Sequence, residues 1–194
     1  MNAKKLGLGI VGIFLIGIVA ASFLPYFGVI TGTATVTAPV FYLGGNATEG
    51  GVYHNLLVDQ IPSSEEEVYF YDGHREVFKT GNLNVSYFYP ITLHAYVWMK
   101  TNFSGSKIQA RFLKLNNNNN EQTICEVSNP VVVTATNYFS EYDLSCNSSG
   151  QIDLSTHNKI GLELRGNGNE SIDYRISTGH SYTAGYSRIE VIPQ

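Results

Sequence analysis

"ITLHAYVWMK", Ile91 to Lys100, alternates without a break: Leu93, Ala95, Val97 and Met99 fall on one side of an extended chain, while Thr92, His94, Tyr96, Trp98 and Lys100 fall on the other. A period of two is the pattern of a strand with one dry and one wet face, not of a helix repeating every 3.6 residues. The pattern recurs further along. "NKIGLELRG" sets Ile160, Leu162 and Leu164 against Gly161, Glu163 and Arg165, and "SIDYRIS" sets Ile172, Tyr174 and Ile176 against Asp173 and Arg175. Strands of this kind pack as two sheets with apolar inner faces and polar outer ones.

Composition agrees with that reading. Thirteen Tyr, ten Phe and nineteen Gly in 194 residues suit strands separated by turns. Roughly nine to eleven strands are predicted between Thr33 and Ile192, with a turn about every 8–15 residues, which defines an all-β, jelly-roll-like single sandwich. Asp72-Gly73, between "EEVYFY" and "REVFKT", reads as a hairpin turn, and "RGNGNES" around Gly166 and Gly168 as a second. The "NNNNN" tract, Asn116 to Asn120, reads as an exposed, mobile hairpin tip between "KIQARFLKL" and "EQTICEV".

The start of the chain is different in kind. Lys4 and Lys5 precede a run without charge from Leu6 to Thr48, whose apolar core is Leu6 to Leu24. Nineteen helical residues span about 28 Å, close to the roughly 30 Å hydrocarbon core of a bilayer. The expectation is a transmembrane signal-anchor helix within residues 1–30, its lysines on the cytoplasmic side, with residues 31–194 forming one extracytoplasmic β-sandwich domain at the cell membrane. Val19-Ala20-Ala21-Ser22 offers small side chains to a signal peptidase, so a cleaved, secreted form is the alternative, and a pilin-type leader the third.

Beyond the two leading lysines, ten Lys and Arg stand against sixteen Asp and Glu, a net charge of about −6. Such a balance provides no basic footprint for phosphates and excludes nucleic acid as a partner. Cys125 and Cys146 are the only cysteines. An even count in an exported domain predicts a disulfide, which would stabilise the fold by roughly 3 kcal/mol through the loop it closes. Asn46, Asn84, Asn102, Asn147 and Asn169 each begin an Asn-x-Ser/Thr sequon and are glycosylation candidates.

Little in the chain points to chemistry. His54, His74, His94, His157 and His180 are scattered, without the spacing of a metal site. "GHSYT" at Gly179 lacks the second glycine of a nucleophile elbow, and "LGGNATEGG" lacks the lysine of a phosphate loop. "SSEEE", Ser63 to Glu67, lies near Asp72 but lacks the spaced acidic loop that calcium requires. No catalytic, cofactor-binding or metal residue is predicted, and the chain reads as not an enzyme. Tyr96 and Trp98, on the polar side of the opening strand, are candidates for a ligand platform on which sugar rings stack. "TGTATVTAPVFYL", Thr31 to Leu43, is long and uncharged enough to complete the sheet of a neighbouring filament subunit.

The closing segment, "THNKIGLELRGNGNESIDYRISTGHSYTAGYSRIEVIP", resembles the last strands of extracellular jelly-roll domains, with a final "SRIEV" strand joining the sheet edge. The whole layout resembles small archaeal-type surface proteins of no known function, which share a basic-apolar start, a first strand like "TVTAPVFYL", a cysteine pair and many sequons. "TGNLNV", Thr80 to Val85, is loosely similar to a segment of camelysin-type filament subunits. These resemblances imply a membrane-anchored surface protein with a structural, adhesive or recognition role. The alternatives are a filament subunit and a carbohydrate-binding module, with membrane, surface or filament subunits, and carbohydrate as the expected partners.

Overall fold

The computed structural model describes residues 39–48, 53–64, 66–85, 87–88, 91–166, 172–178 and 185–193. The expected membrane helix over Leu6–Leu24, the boundary at residue 30, the "GHSYT" stretch, Asn169 and the side chain of Asn46 lie outside them.

Among the described residues there are fourteen strands and no helix. They are β1 (Val40–Thr48), β2 (Tyr53–Val58), β3 (Glu67–Tyr71), β4 (Arg75–Thr80), β5 (Tyr87–Phe88), β6 (Ile91–Thr101) and β7 (Ser106–Leu115), followed by β8 (Glu121–Glu126), β9 (Val131–Val133), β10 (Ser140–Asn147), β11 (Ile152–Asp153), β12 (Lys159–Gly166), β13 (Asp173–Ser177) and β14 (Arg188–Pro193). The surplus over the sequence expectation comes from the short β5, β9 and β11, which carry too few residues to show a period.

The strands follow the path β3-β13-β6-β14-β1-β2-β4-β12-β7-β8, with β10 on the far edge of β6, β9 beside β7, and β5 paired separately with β11. The quoted strand, β6, is the organiser. Trp98 to Thr101 pair with β13, Ile91 to Tyr96 with β14, and the opposite edge is filled by β10 from Thr92 to Met99. Its inner residues Leu93, Ala95, Val97 and Met99 are completely buried. Phe78, Phe112, Leu162, Leu164, Tyr174 and Ile189 fill the same β-sandwich core. The Tyr174 hydroxyl donates to the carbonyl of Lys107 at 3.0 Å, and burial together with the Asp72 charge pushes its pKa up to about 12.

Cys125 on β8 and Cys146 on β10 form a disulfide, with 6.0 Å between their Cα atoms. Because β8 ends the strand path and β10 lies beside β6, this bond closes the path on itself. The same seam is stitched by Tyr142, whose hydroxyl accepts from the N–H groups of Thr134 and Ala135 at 3.0 and 3.1 Å.

Both predicted glycine hairpins are corrected. β3 pairs with β13, whereas β4 pairs with β12 and β2, so Asp72-Gly73 turns the chain from one set of strands to another. β12 likewise pairs with β4 and β7, not with β13. The Asp72-Gly73 corner is bonded to the end of β12 and to the residue that precedes β13. Asp72 is buried and its N–H donates to the carbonyl of Ile172 at 2.8 Å, while the N–H of Gly166 donates to the carbonyl of His74 at 3.3 Å. A Cβ on Gly166 would fall 2.2 Å from Asp72 Oδ1, so only glycine lets the end of β12 pack against Asp72.

The β7–β8 hairpin forms as expected, but its asparagine tip is tied down instead of loose. Asn116 Oδ1 accepts from the N–H groups of Asn118 and Asn120 at 2.9 Å each, and Lys79 Nζ on β4 donates to Asn119 Oδ1 at 2.6 Å. Asn119 takes a φ of 57°, a left-handed conformation that asparagine tolerates better than most residues. The tip folds toward the outer face of β12, where Val77, Leu113 and Leu115 form a second apolar cluster, with Tyr53 packed against it.

Candidate functional site

The predicted platform lies on the outer face of β6, between β10 and β14. His94, Tyr96 and Trp98 are half-buried there. The Arg188 guanidinium sits 4.5 Å above the Tyr96 ring, a cation–π contact, and its Nε donates to Glu190 Oε1 at 2.7 Å. His94 lies beside Tyr96, ring centroids 5.9 Å apart, and its Nδ1 is 3.1 Å from Asp143 Oδ1. Burial and then the charges of Asp143 and Glu190 raise the Tyr96 pKa, because a phenolate would form beside carboxylates.

The Trp98 indole Nε1 is buried and has no hydrogen-bond partner among the described residues; a Cβ added to Gly185 would lie 3.7 Å from it. Tyr96 and Trp98 therefore share the expected face, but Arg188 covers the tyrosine and the tryptophan nitrogen is turned away from solvent. The result is an aromatic row within a charged frame, not a bare stacking surface. Ser145 stands directly across from His94 in the β10–β6 register, with no hydrogen bond between them.

The second site was not anticipated. On the outer face of β4, β12, β7 and β8, Glu163 is the hub of a charge network. Arg111 grips it with Nε and Nη2 at 2.9 and 2.8 Å, and Arg75 Nη1 bridges Glu163 Oε2 and Glu121 Oε2 at 2.8 and 2.6 Å. Tyr53 donates its hydroxyl to Glu121 Oε1 at 3.0 Å, with Lys79 Nζ 4.3 Å above its ring. Hydrogen bonds to the carboxylates hold both arginines above their ordinary pKa, Glu121 acting chiefly on Arg75 and Glu163 on Arg111. Burial and then the bond to Glu121 raise the Tyr53 pKa.

Beside this network opens a cavity of about 410 Å³ lined by Gly73, His74, Arg75, Arg111 and Arg165. The signal that could have found it is a pairing register, since Arg165 stands opposite Arg75 and Glu163 opposite Arg111. Register is set by long-range pairing and is not visible in any one stretch.

Of the other candidates, Asn147 lies on the same outer face as the platform, opposite Thr92 of β6. Asn84, Asn102 and Asn147 are exposed, as a glycan acceptor must be. Asn102 Oδ1 accepts from the Asp173 N–H at 3.1 Å, and Asn147 Oδ1 from Thr92 Oγ1 at 2.7 Å. Among the described residues no group of three or more His, Cys, Asp or Glu is placed to hold a metal ion. The donor-strand idea is corrected for its described part: Phe41 and Tyr42 pair with β14 on one edge and β2 on the other, so no edge is left to lend. Residues 31–38 lie outside the description.

No family model matches the chain, and no curated protein matches it. Solved structures do. A CocE/NonD family hydrolase from Staphylococcus aureus matches with a TM-score of 0.57 and 12% identity, over 81% of this chain and 37% of that one. An alpha-amino acid ester hydrolase matches with a TM-score of 0.51 and 10% identity, over 82% of this chain and 36% of that one. The chain thus spans little more than a third of the hydrolases it matches, and at such identity the likeness is one of fold. It overturns the expectation that the chain is not an enzyme, because this all-β fold occurs within hydrolases and so is no argument against enzymatic work.

Proposed function

We propose that this protein is a cell-surface recognition protein, held at the membrane by the Leu6–Leu24 segment and displaying a jelly-roll-like, disulfide-closed and glycosylated sandwich outside. The observation that supports recognition best is the row His94-Tyr96-Trp98, fixed half-exposed on β6 between two paired strands and framed by Arg188, Glu141, Asp143 and Glu190. Rigid strands hold aromatic and charged groups at constant spacing, which suits the stacking and hydrogen bonding of a carbohydrate or a neighbouring surface subunit. The full chain, purified from membranes in detergent, is expected to bind a subset of a glycan array, and Tyr96→Ala together with Arg188→Ala to weaken that binding at least about tenfold. Unchanged binding in the double variant would remove this face from the reading. Recovery of the protein in the cytosolic fraction with two alkylatable thiols would remove the surface location.

A second reading is favoured by the hydrolase likeness and by the His94–Asp143 pair with Ser145 opposite. In it the chain takes part in ester or amide hydrolysis. Release of product from an α-amino acid ester, lost in both Ser145→Ala and His94→Ala, would support it; activity indifferent to both changes would set this geometry aside.

A further inference from the structure

We propose that the arginine-lined cavity on the outer face of β4, β12 and β7 is a binding site for a carboxylate-bearing sugar, a hexuronic acid residue of an acidic polysaccharide. This site is independent of the β6 face, being built on other strands and carrying the opposite charge.

The argument begins with the register. Arg165 on β12 stands directly across from Arg75 on β4. Like charges in a cross-strand pair repel and are destabilising unless something negative lies between them. Arg111, on the next strand, lines the same opening, and among the described residues no carboxylate does. The two acids that bond these arginines are covered, the Glu163 side chain 4% exposed and that of Glu121 16%, while Glu126, opposite Arg111 on β8, is exposed and makes no ion pair with it. Glu163 and Glu121 fix the guanidinium planes of Arg75 and Arg111 through some of their nitrogens. Arg111 Nη1, Arg75 Nη2 and the Arg165 guanidinium take no part in these bonds, and all three residues line the opening.

That arrangement recognises a planar anion. A guanidinium presents two parallel N–H donors to a carboxylate, and a guanidinium already held in place loses little freedom on binding. Volume narrows the class. About 410 Å³ falls in the range of small-molecule pockets and is generous for an inorganic ion. The remaining wall supplies what a sugar ring uses. His74 lines the cavity, and the ring of Tyr71, 48% exposed, lies against it with centroids 6.4 Å apart. An aromatic pair beside arginines offers a face for the ring C–H groups while the carboxylate is held.

The test is a titration of the full chain in detergent with trigalacturonate, followed calorimetrically and through the arginine Nε–Hε signals. Saturable binding is expected, with the Arg75, Arg111 and Arg165 signals shifting, and weakening at least about tenfold in Arg165→Gln. Arg165 is exposed, so this variant keeps the fold. The uncharged methyl ester of the trisaccharide is expected to bind at least about tenfold more weakly than the acid. Arg175→Gln, a change on β13, is expected to bind as the unaltered protein does. Equal binding of acid and methyl ester, equal binding by Arg165→Gln, or an equal loss in Arg175→Gln would overturn the site. Inorganic sulfate binding as tightly as trigalacturonate would overturn the sugar assignment.

Discussion

β6 and β12 carry the same alternating pattern and end in opposite situations. On β6 every second residue is fully buried and the residues between, Thr92 to Lys100, are all half-exposed. On β12 the intervening residues Gly161 and Glu163 are buried as well, and only the end residues of that face, Lys159 in part and Arg165 fully, reach solvent. Alternation reports which side chains face the common interior. It says nothing of what folds over the other side. β6 is flanked by β10 and β14, with no further layer over it in the described residues. β12 is overlaid by Tyr53, by the apolar cluster of Val77, Leu113 and Leu115, and by a hairpin tip drawn in through Lys79 and Asn119.

Removing the hub of the covered face should break this contrast most. Glu163→Ala deletes the partner of Arg75 and Arg111, both about a third exposed, so water relieves part of the penalty of an unpaired buried charge. A loss of about 2–3 kcal/mol in urea unfolding is expected, with the m-value unchanged. A loss under about 1 kcal/mol would mean that the face is as wet as that of β6. Gly161→Ala should act more gently. A Cβ there would sit 2.8 Å from Leu115 Cδ1 and 3.0 Å from the Phe78 carbonyl. Overpacking of this kind costs about 1–3 kcal/mol, and the flexible leucine places the expected loss near the lower end. The same substitution at Gly81, which has open space around it, is expected to leave the unfolding midpoint unmoved.

The sequence was legible where one residue's neighbours decide its environment. The inner faces of β6 and β13, the β7–β8 hairpin and the two cysteines all depend on period, turn chemistry or parity, and the structure agrees with each. It was illegible where partners come from afar. Asp72-Gly73 has the composition of a hairpin, yet β3 finds its partner in β13, about a hundred residues on, and the glycine serves a corner. Five asparagines read as loose because none announces the lysine on β4 that holds one of them. Glu163 read as solvated because alternation cannot show two arginines converging from β4 and β7. The face that could be read, with Tyr96 and Trp98, is the open one; the cavity beside Glu163 depends on register and stayed hidden.

The smallest expected effect sharpens the comparison from the other side. Glu190 on β14 bonds Arg188 at 2.7 Å, a distance as short as those around Glu163. Both partners are partly exposed, however, and Arg188 keeps Glu141 at 3.7 Å and its seat on Tyr96. Glu190→Ala should therefore change unfolding free energy by no more than about 0.5 kcal/mol, the ordinary worth of a surface ion pair. Its electrostatic effect should be easier to detect. Removing a carboxylate that opposes ionisation must lower the Tyr96 pKa toward its ordinary value, visible as phenolate appearing at lower pH in an ultraviolet titration. A loss of stability matching that of Glu163→Ala would show that bond length, not cover, sets the strength of these pairs. An unmoved Tyr96 titration would place the Glu190 charge too deep in solvent to act on the open face at all.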